Sequence, residues 1–180
     1  FDVSMRAPAR DRLNLENDMR LGLKRGEFQL CYQPIVSLAT DQLVSFEALL
    51  RWKRRDGRMM MPSEFIPTAE ETGLIDPLGL WTLREACRQT AAWADRLPAA
   101  SQLGVTVNVS SHQLMHPDFI DQVAAALRDA GVPPESLCLE ITESTLIHSL
   151  DQAANVLGAL RALGVQVFLD DFGSGYSSLS

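Results

Sequence analysis

The chain has 180 residues, 46% of them hydrophobic and 22% charged, with a formal net charge of -7 and a pI near 4.9. These values fit one globular domain or most of one and exclude disordered and collagen-like classes. The acidic balance disfavours a protein that grips duplex nucleic acid through a bulk positive field, so an anionic substrate would need a local cation or guanidinium.

Leu15, Met19 and Leu23, four residues apart among charges, predict an amphipathic lead-in helix over 8–25 that ends at Gly26. Residues 28–36 and 43–52 read as two strands joined by a turn at Thr40 and Asp41, a hairpin-like entry. Lys53 to Arg58 reads as a turn and Met59, Met60 and Met61 as a loop. Ser63 is placed to cap a short helix with Glu64 in its first turn. A long helix is predicted from Asp76 to Arg96, with Pro77 at its first position. After it the rhythm is regular: strand 104–109, helix 117–130 ended by Gly131, strand 137–142, helix 149–163 ended by Gly164, strand 165–170. Such alternation implies parallel strands with crossover helices, hence a doubly wound sheet or a (β/α) barrel.

Phase within the strands favours the barrel. Val105, Val107 and Val109 oppose Thr106 and Asn108; Leu137, Leu139 and Ile141 oppose Cys138, Glu140 and Thr142; Val165, Val167 and Leu169 oppose Gln166, Phe168 and Asp170. A doubly wound sheet buries both faces and would read as continuously apolar. One apolar face and one mixed face instead suit strands that pack on outer helices and turn polar toward the C-terminal rim of a lumen. Glu47 and Arg51 share the mixed face of the second strand.

Glu47, Asn108, Glu140 and Asp170 thus fall in the polar phase of four different strands. Polar side chains on half-buried strands are costly unless paired or ligated, and an all-oxygen set suits Mg²⁺ or Mn²⁺ better than Zn²⁺. Asp171 points the other way on an ideal strand, but a bend at the strand end would bring a second carboxylate to a second metal, an arrangement fitted to in-line displacement at phosphorus. Arg51 is a natural phosphate clamp beside it. Bland roles compete at each position: a solvated glutamate, an Asn108 that satisfies backbone groups, a capping Asp170 and Asp171. His112, His116 and His148 are assigned nothing, and the Asp-Phe-Gly triplet at 171–173 lacks the companion motifs of a kinase. Cys31, Cys87 and Cys138 form no CxxC pair, which suggests neither a disulfide framework nor a zinc knuckle and fits a reducing cytoplasm. No apolar run approaches the roughly 18 residues of a membrane span, although other domains of a parent protein would be able to anchor it.

At Glu47-Ala48-Leu49-Leu50-Arg51-Trp52 the sequence resembles the signature of the EAL domain, the family of cyclic-di-GMP phosphodiesterases. The resemblance runs on through Tyr32-Gln33-Pro34-Ile35, Pro62-Ser63-Glu64-Phe65-Ile66-Pro67, Val107-Asn108-Val109-Ser110, Leu139-Glu140-Ile141-Thr142-Glu143 and Leu169-Asp170-Asp171-Phe172-Gly173. It implies a modified (β/α)8 TIM-like barrel that uses Mg²⁺ or Mn²⁺, two ions in the intact site, to open cyclic-di-GMP into linear pGpG. By that resemblance Glu47, Asn108, Glu140 and Asp170 are metal ligands, and Asp171 is a catalytic carboxylate serving the second metal. Gln33, Leu50 and Arg51 contact the dinucleotide, and Glu143 anchors the loop of residues 172–179. Ser174 stands where threonine is usual, a swap that keeps the hydroxyl.

The family also implies an upstream sensory or GGDEF-type domain, reached through residues 1–26, and a homodimer for which no residue here speaks. Its pattern continues with a lysine, an aspartate, a general-base glutamate and a late glutamine that this chain does not contain. With Phe1 in place of Met and about 250 residues typical of a full barrel, residues 27–180 read as roughly the first five strands of the domain, truncated on the C-terminal side. The intact domain is expected to be the enzyme and the 180-residue piece alone to be inactive. A non-catalytic cyclic-di-GMP receptor is the alternative.

Overall fold

The computed structural model describes residues 6–96, 103–142 and 150–170, with the side chains of 6–10, 150–152 and 170 left aside. Helix α1 (Arg6–Arg25) precedes strands β1 (Phe28–Val36), β2 (Leu43–Lys53) and the two-residue β3 (Met59–Met60). Helices α2 (Pro62–Glu71) and α3 (Ile75–Arg96) follow, then β4 (Gly104–Val109), α4 (Ser111–Leu114), α5 (Phe119–Ala130), β5 (Leu137–Thr142), α6 (Leu150–Ala162) and β6 (Gln166–Asp170). The sheet order is β1-β2-β4-β5-β6, with β3 paired on β2. β1 and β2 are an antiparallel hairpin, whereas β2, β4, β5 and β6 are parallel neighbours joined by helical crossovers. This is the first arc of a (β/α)8-type barrel, entered through an antiparallel strand.

The apolar phase of the strands builds the main core. Ala48, Val105, Val107, Val109, Leu137, Leu139 and Ile141 are buried with Leu83 and Cys87 of α3, Phe119, Val123 and Leu127 of α5, and Leu160 of α6. Each helix brings one apolar stripe to the sheet, which is why the strands read as apolar on that face and mixed on the other. Gly131, at φ 67°, ends α5: its N–H donates to the Arg128 carbonyl, and that of Val132 to Leu127. A glycine suits this left-handed position because it carries no Cβ to clash.

A second core closes the hairpin end. Phe28 stacks on Trp52 at 5.2 Å between ring centroids, and Phe65 meets both rings edge-on at 5.8 Å. Met19 of α1 joins this cluster, together with Leu74, Ile75 and Leu78. α1 passes close over Trp52, where a Cβ at Gly22 would lie 2.9 Å from the indole nitrogen. Asp18 accepts from Arg54 at 2.5 Å, and Arg12 pairs with Glu71 at 2.5 Å, so polar ties flank the apolar contact.

Several boundaries differ from the sequence expectation. Met61, not Ser63, is the N-cap of α2: its extended backbone precedes Pro62, and its N–H donates to Glu64 at 2.8 Å. That backbone bond, with Arg58 second among the favourable contacts, holds the Glu64 carboxyl below its ordinary range. α3 starts at Ile75, so Pro77 is its third residue rather than its first. The helix expected over 117–130 is α5, which starts two residues later at Phe119, and the single turn α4 before it was not expected. Met59 and Met60, expected as loop, pair with Lys53 and Trp52 as β3.

Candidate functional site

The strands place their polar residues on the face opposite the main core. On β1 and β2, Gln33 stands across from Glu47 and Gln29 from Arg51; Glu47 then neighbours Thr106 of β4, and Asn108 neighbours Glu140 of β5. Thr142 neighbours Asp170 in turn. β2, β4, β5 and β6 run the same way, so Thr142 and Asp170 stand at the C-terminal end, Asn108 and Glu140 share the next level, and Glu47 lies a step deeper.

Asn108 and Glu47 are in direct contact, the Asn108 Nδ2 donating to Glu47 Oε1 at 2.8 Å. With its amide nitrogen committed there, Asn108 keeps Oδ1 as an acceptor beside two carboxylates. Among the described residues no three histidine, cysteine, aspartate or glutamate side chains gather in one place. The strand-borne donors described are two carboxylates and an amide oxygen. Below them Cys138 is buried next to Thr106, and burial pushes its thiol up to about 11, so it stays protonated near neutrality.

A groove of about 790 Å³ opens beside this rim. Leu49 and Leu50 of β2, Asn108, Ser110 and Ser111, and Glu140 and Thr142 form its strand side. Pro62, Ser63, Ile66, Pro67 and Glu70 of α2, with Ile75, Leu78, Gly79 and Thr82 of α3, form the opposite wall. The volume suits a ligand of drug or dinucleotide size, with an apolar wall and a few convergent polar groups. Leu50 lines the groove and also packs on the second core. Arg51 turns its guanidinium back, donating from Nη1 to the Leu50 carbonyl at 2.8 Å, and meets no carboxylate among the described residues.

Sequence reasoning missed the α2 wall. Its signal was present, since the segment after β2 must sit at the same rim as β2's end, where barrel sites are built. Gln113, from α4, also lines the groove and was assigned no part. Asp171, Glu143 and the loop 172–179 lie outside the described residues, as does the side chain of Asp170.

An arc of parallel strands, outer helices and a polar C-terminal rim defines this as a protein of the (β/α) barrel class with its site in the usual place. The EAL domain profile matches residues 16–180, and the chain belongs to the EAL domain family. It is 41% identical over 179 residues to the bifunctional diguanylate cyclase/cyclic di-GMP phosphodiesterase MucR of Pseudomonas aeruginosa, covering 99% of this chain and 26% of that protein. The structure of the PaMucR phosphodiesterase in complex with c-di-GMP is similar at TM-score 0.86 and 41% identity, over 92% of this chain and 66% of that one. The Xanthomonas citri FimX EAL domain in complex with c-diGMP is similar at TM-score 0.81 and 32% identity, over 94% of this chain and 65% of that one. The chain therefore spans about a quarter of the curated MucR protein. No helix among the described residues is long and apolar enough to cross a membrane.

Proposed function

We propose that the protein carrying this chain hydrolyses cyclic-di-GMP to linear pGpG with Mg²⁺ or Mn²⁺. One observation carries the reading: Glu47, Asn108 and Glu140 place oxygen donors on three adjacent strands, and Asn108, bonded to Glu47, and Glu140 line a groove of about 790 Å³. The donor set fits a hard divalent ion, being all oxygen, with Asn108 oriented by Glu47 so that its carbonyl oxygen is the acceptor left over. The relatives named for this nucleotide support the substrate.

In this reading Glu47, Asn108, Glu140 and Asp170 hold the first ion and Asp171 the second. The chemistry such ions supply is Lewis-acid polarisation of phosphoryl oxygens and a water made acidic enough to lose its proton. The chain's own residues do the rest. The groove between α2 and β2 takes a guanine half and excludes water from it, with Leu50 as part of its apolar floor. Gln33 and Arg51 bind the dinucleotide, Arg51 by swinging from the Leu50 carbonyl onto a phosphate oxygen. Glu143 anchors the loop of 172–179. Water adds at phosphorus and the bridging ester oxygen leaves with a proton, opening the ring. Residues 27–180 belong to the barrel and 1–26 lead in from an upstream sensory or GGDEF-type domain, in a cytoplasmic homodimer.

The test is chromatography of cyclic-di-GMP incubated with the full-length protein and Mn²⁺. Appearance of pGpG that stops with a chelator is expected. Tight binding without turnover would replace the enzyme by a cyclic-di-GMP receptor, and absence of both would remove the reading.

A further inference from the structure

We infer that Gln113 is a positioning residue for the Glu47, Asn108 and Glu140 donors, acting through the backbone of Ser110; the inference rests on the metal-binding reading above. The junction between β4 and α4 is held by a reciprocal pair. Ser110 Oγ accepts from the Gln113 N–H at 3.3 Å, and Gln113 Oε1 accepts from the Ser110 N–H at 3.2 Å. Asn108 is two residues before Ser110 on β4, and Ser110 itself lines the groove.

Three features make the pair more than a helix cap. α4 is a single turn of four residues, too short to hold itself by its own hydrogen bonds. Leu114 is fully buried and already supplies an apolar anchor for that turn, so packing alone does not ask for a buried amide beside it. Finally, Gln113 occupies a slot that only a glycine leaves open: a Cβ at Gly79 would lie 1.6 Å from Nε2 and 2.4 Å from Cδ. α3 is fixed in both cores, so a side chain seated in its glycine notch transmits that rigidity to the Ser110 N–H and thence to the strand end that carries Asn108. His112, whose Nδ1 lies 3.0 Å from Asp76, is a second tie between α4 and α3, but it is exposed and its bond goes to Asp76 rather than into the cap.

Mn²⁺ affinity, read from the free-ion signal in electron paramagnetic resonance on the full chain without nucleotide, tests this. Gln113→Met fills the volume but cannot accept from Ser110 in the same way, and should weaken Mn²⁺ about 10-fold or more, as loss of an outer support does elsewhere, while Gln113→Glu should stay within about two-fold. Gly79→Ala, which evicts the amide while leaving both capping residues in place, should match the Gln113→Met loss and serves if Gln113→Met fails to fold. His112→Ala should leave Mn²⁺ affinity unchanged. Wild-type affinity in both Gln113→Met and Gly79→Ala, or an equal loss in Gln113→Glu or His112→Ala, would overturn the positioning role alone. A wild-type chain that takes up no Mn²⁺ would remove the metal reading and this inference with it.

Discussion

Glu47 joins two networks, the bond from Asn108 and the β1 register at Gln33. Its half-buried side chain packs in no apolar cluster, so truncation removes an oxygen donor and leaves the fold. Glu47→Ala in the full-length protein should abolish pGpG formation with an unchanged thermal midpoint; turnover retained at saturating Mn²⁺ would remove Glu47 from the ligand set. Arg51→Ala should instead weaken cyclic-di-GMP binding by about 1.5 to 3 kcal/mol, the worth of a hydrogen bond to a charged group. Calorimetric titration decides it, and unchanged affinity would leave Arg51 as the donor to the Leu50 carbonyl and nothing more. Cys87 carries a different residue-scale consequence. Burial raises its thiol from 9.0 to about 11, so the folded chain keeps it neutral where the unfolded chain ionises it. The stability it contributes is whole below pH 9.0 and is lost as pH rises toward about 11, on the order of 2 to 3 kcal/mol. Denaturant unfolding across that window should show the decline, flattened in Cys87→Ala.

α2 shows how an element can be half legible. A short helix with Glu64 in its first turn is readable, but serine, the commoner cap, points to Ser63, whereas the helix starts at Pro62 and a Glu64 carboxylate reaching back to the Met61 N–H does the work here. Its burial was not readable at all. Phe65 and Ala69 are fully buried, yet the segment's pattern does not say that they face Phe28 and Trp52, which lie on strands 13 or more residues upstream. The same limit hid α4, since one turn has no periodicity to detect. Strands fared better because period-2 alternation sorts each residue to a face directly, and 104–109 and 137–142 stand where they were predicted. Because Phe65 bridges α2 to both rings, Phe65→Ala should destabilise the chain by about 3 to 5 kcal/mol in denaturant unfolding. A loss under 1 kcal/mol would mean that the second core refills the space around the missing ring.

At the scale of the molecule, the alternation that exposed the donors also predicts what the sheet leaves uncovered. Among the described residues β1 and β6 are the two ends of the sheet order. Phe168, beside Glu140 in register, is 54% exposed, and Leu169 on the other face is 46% exposed. An open strand edge with large apolar side chains is a template for pairing with another chain. Against this stands the formal charge of -7, which repels like copies over a distance that salt shortens. The two effects make opposite demands on ionic strength. The 180-residue chain by itself should associate with rising concentration, and more so at high salt, where the repulsion is screened and edge pairing is not. Phe168→Lys should return it toward monomer by placing a charge on the edge strand. Light scattering coupled to size exclusion reads both trends. A monomer at every concentration and salt would show that the β6 edge is already blunted, and a salt trend of the opposite sign would mean that ion pairs, rather than the apolar edge, bring the copies together.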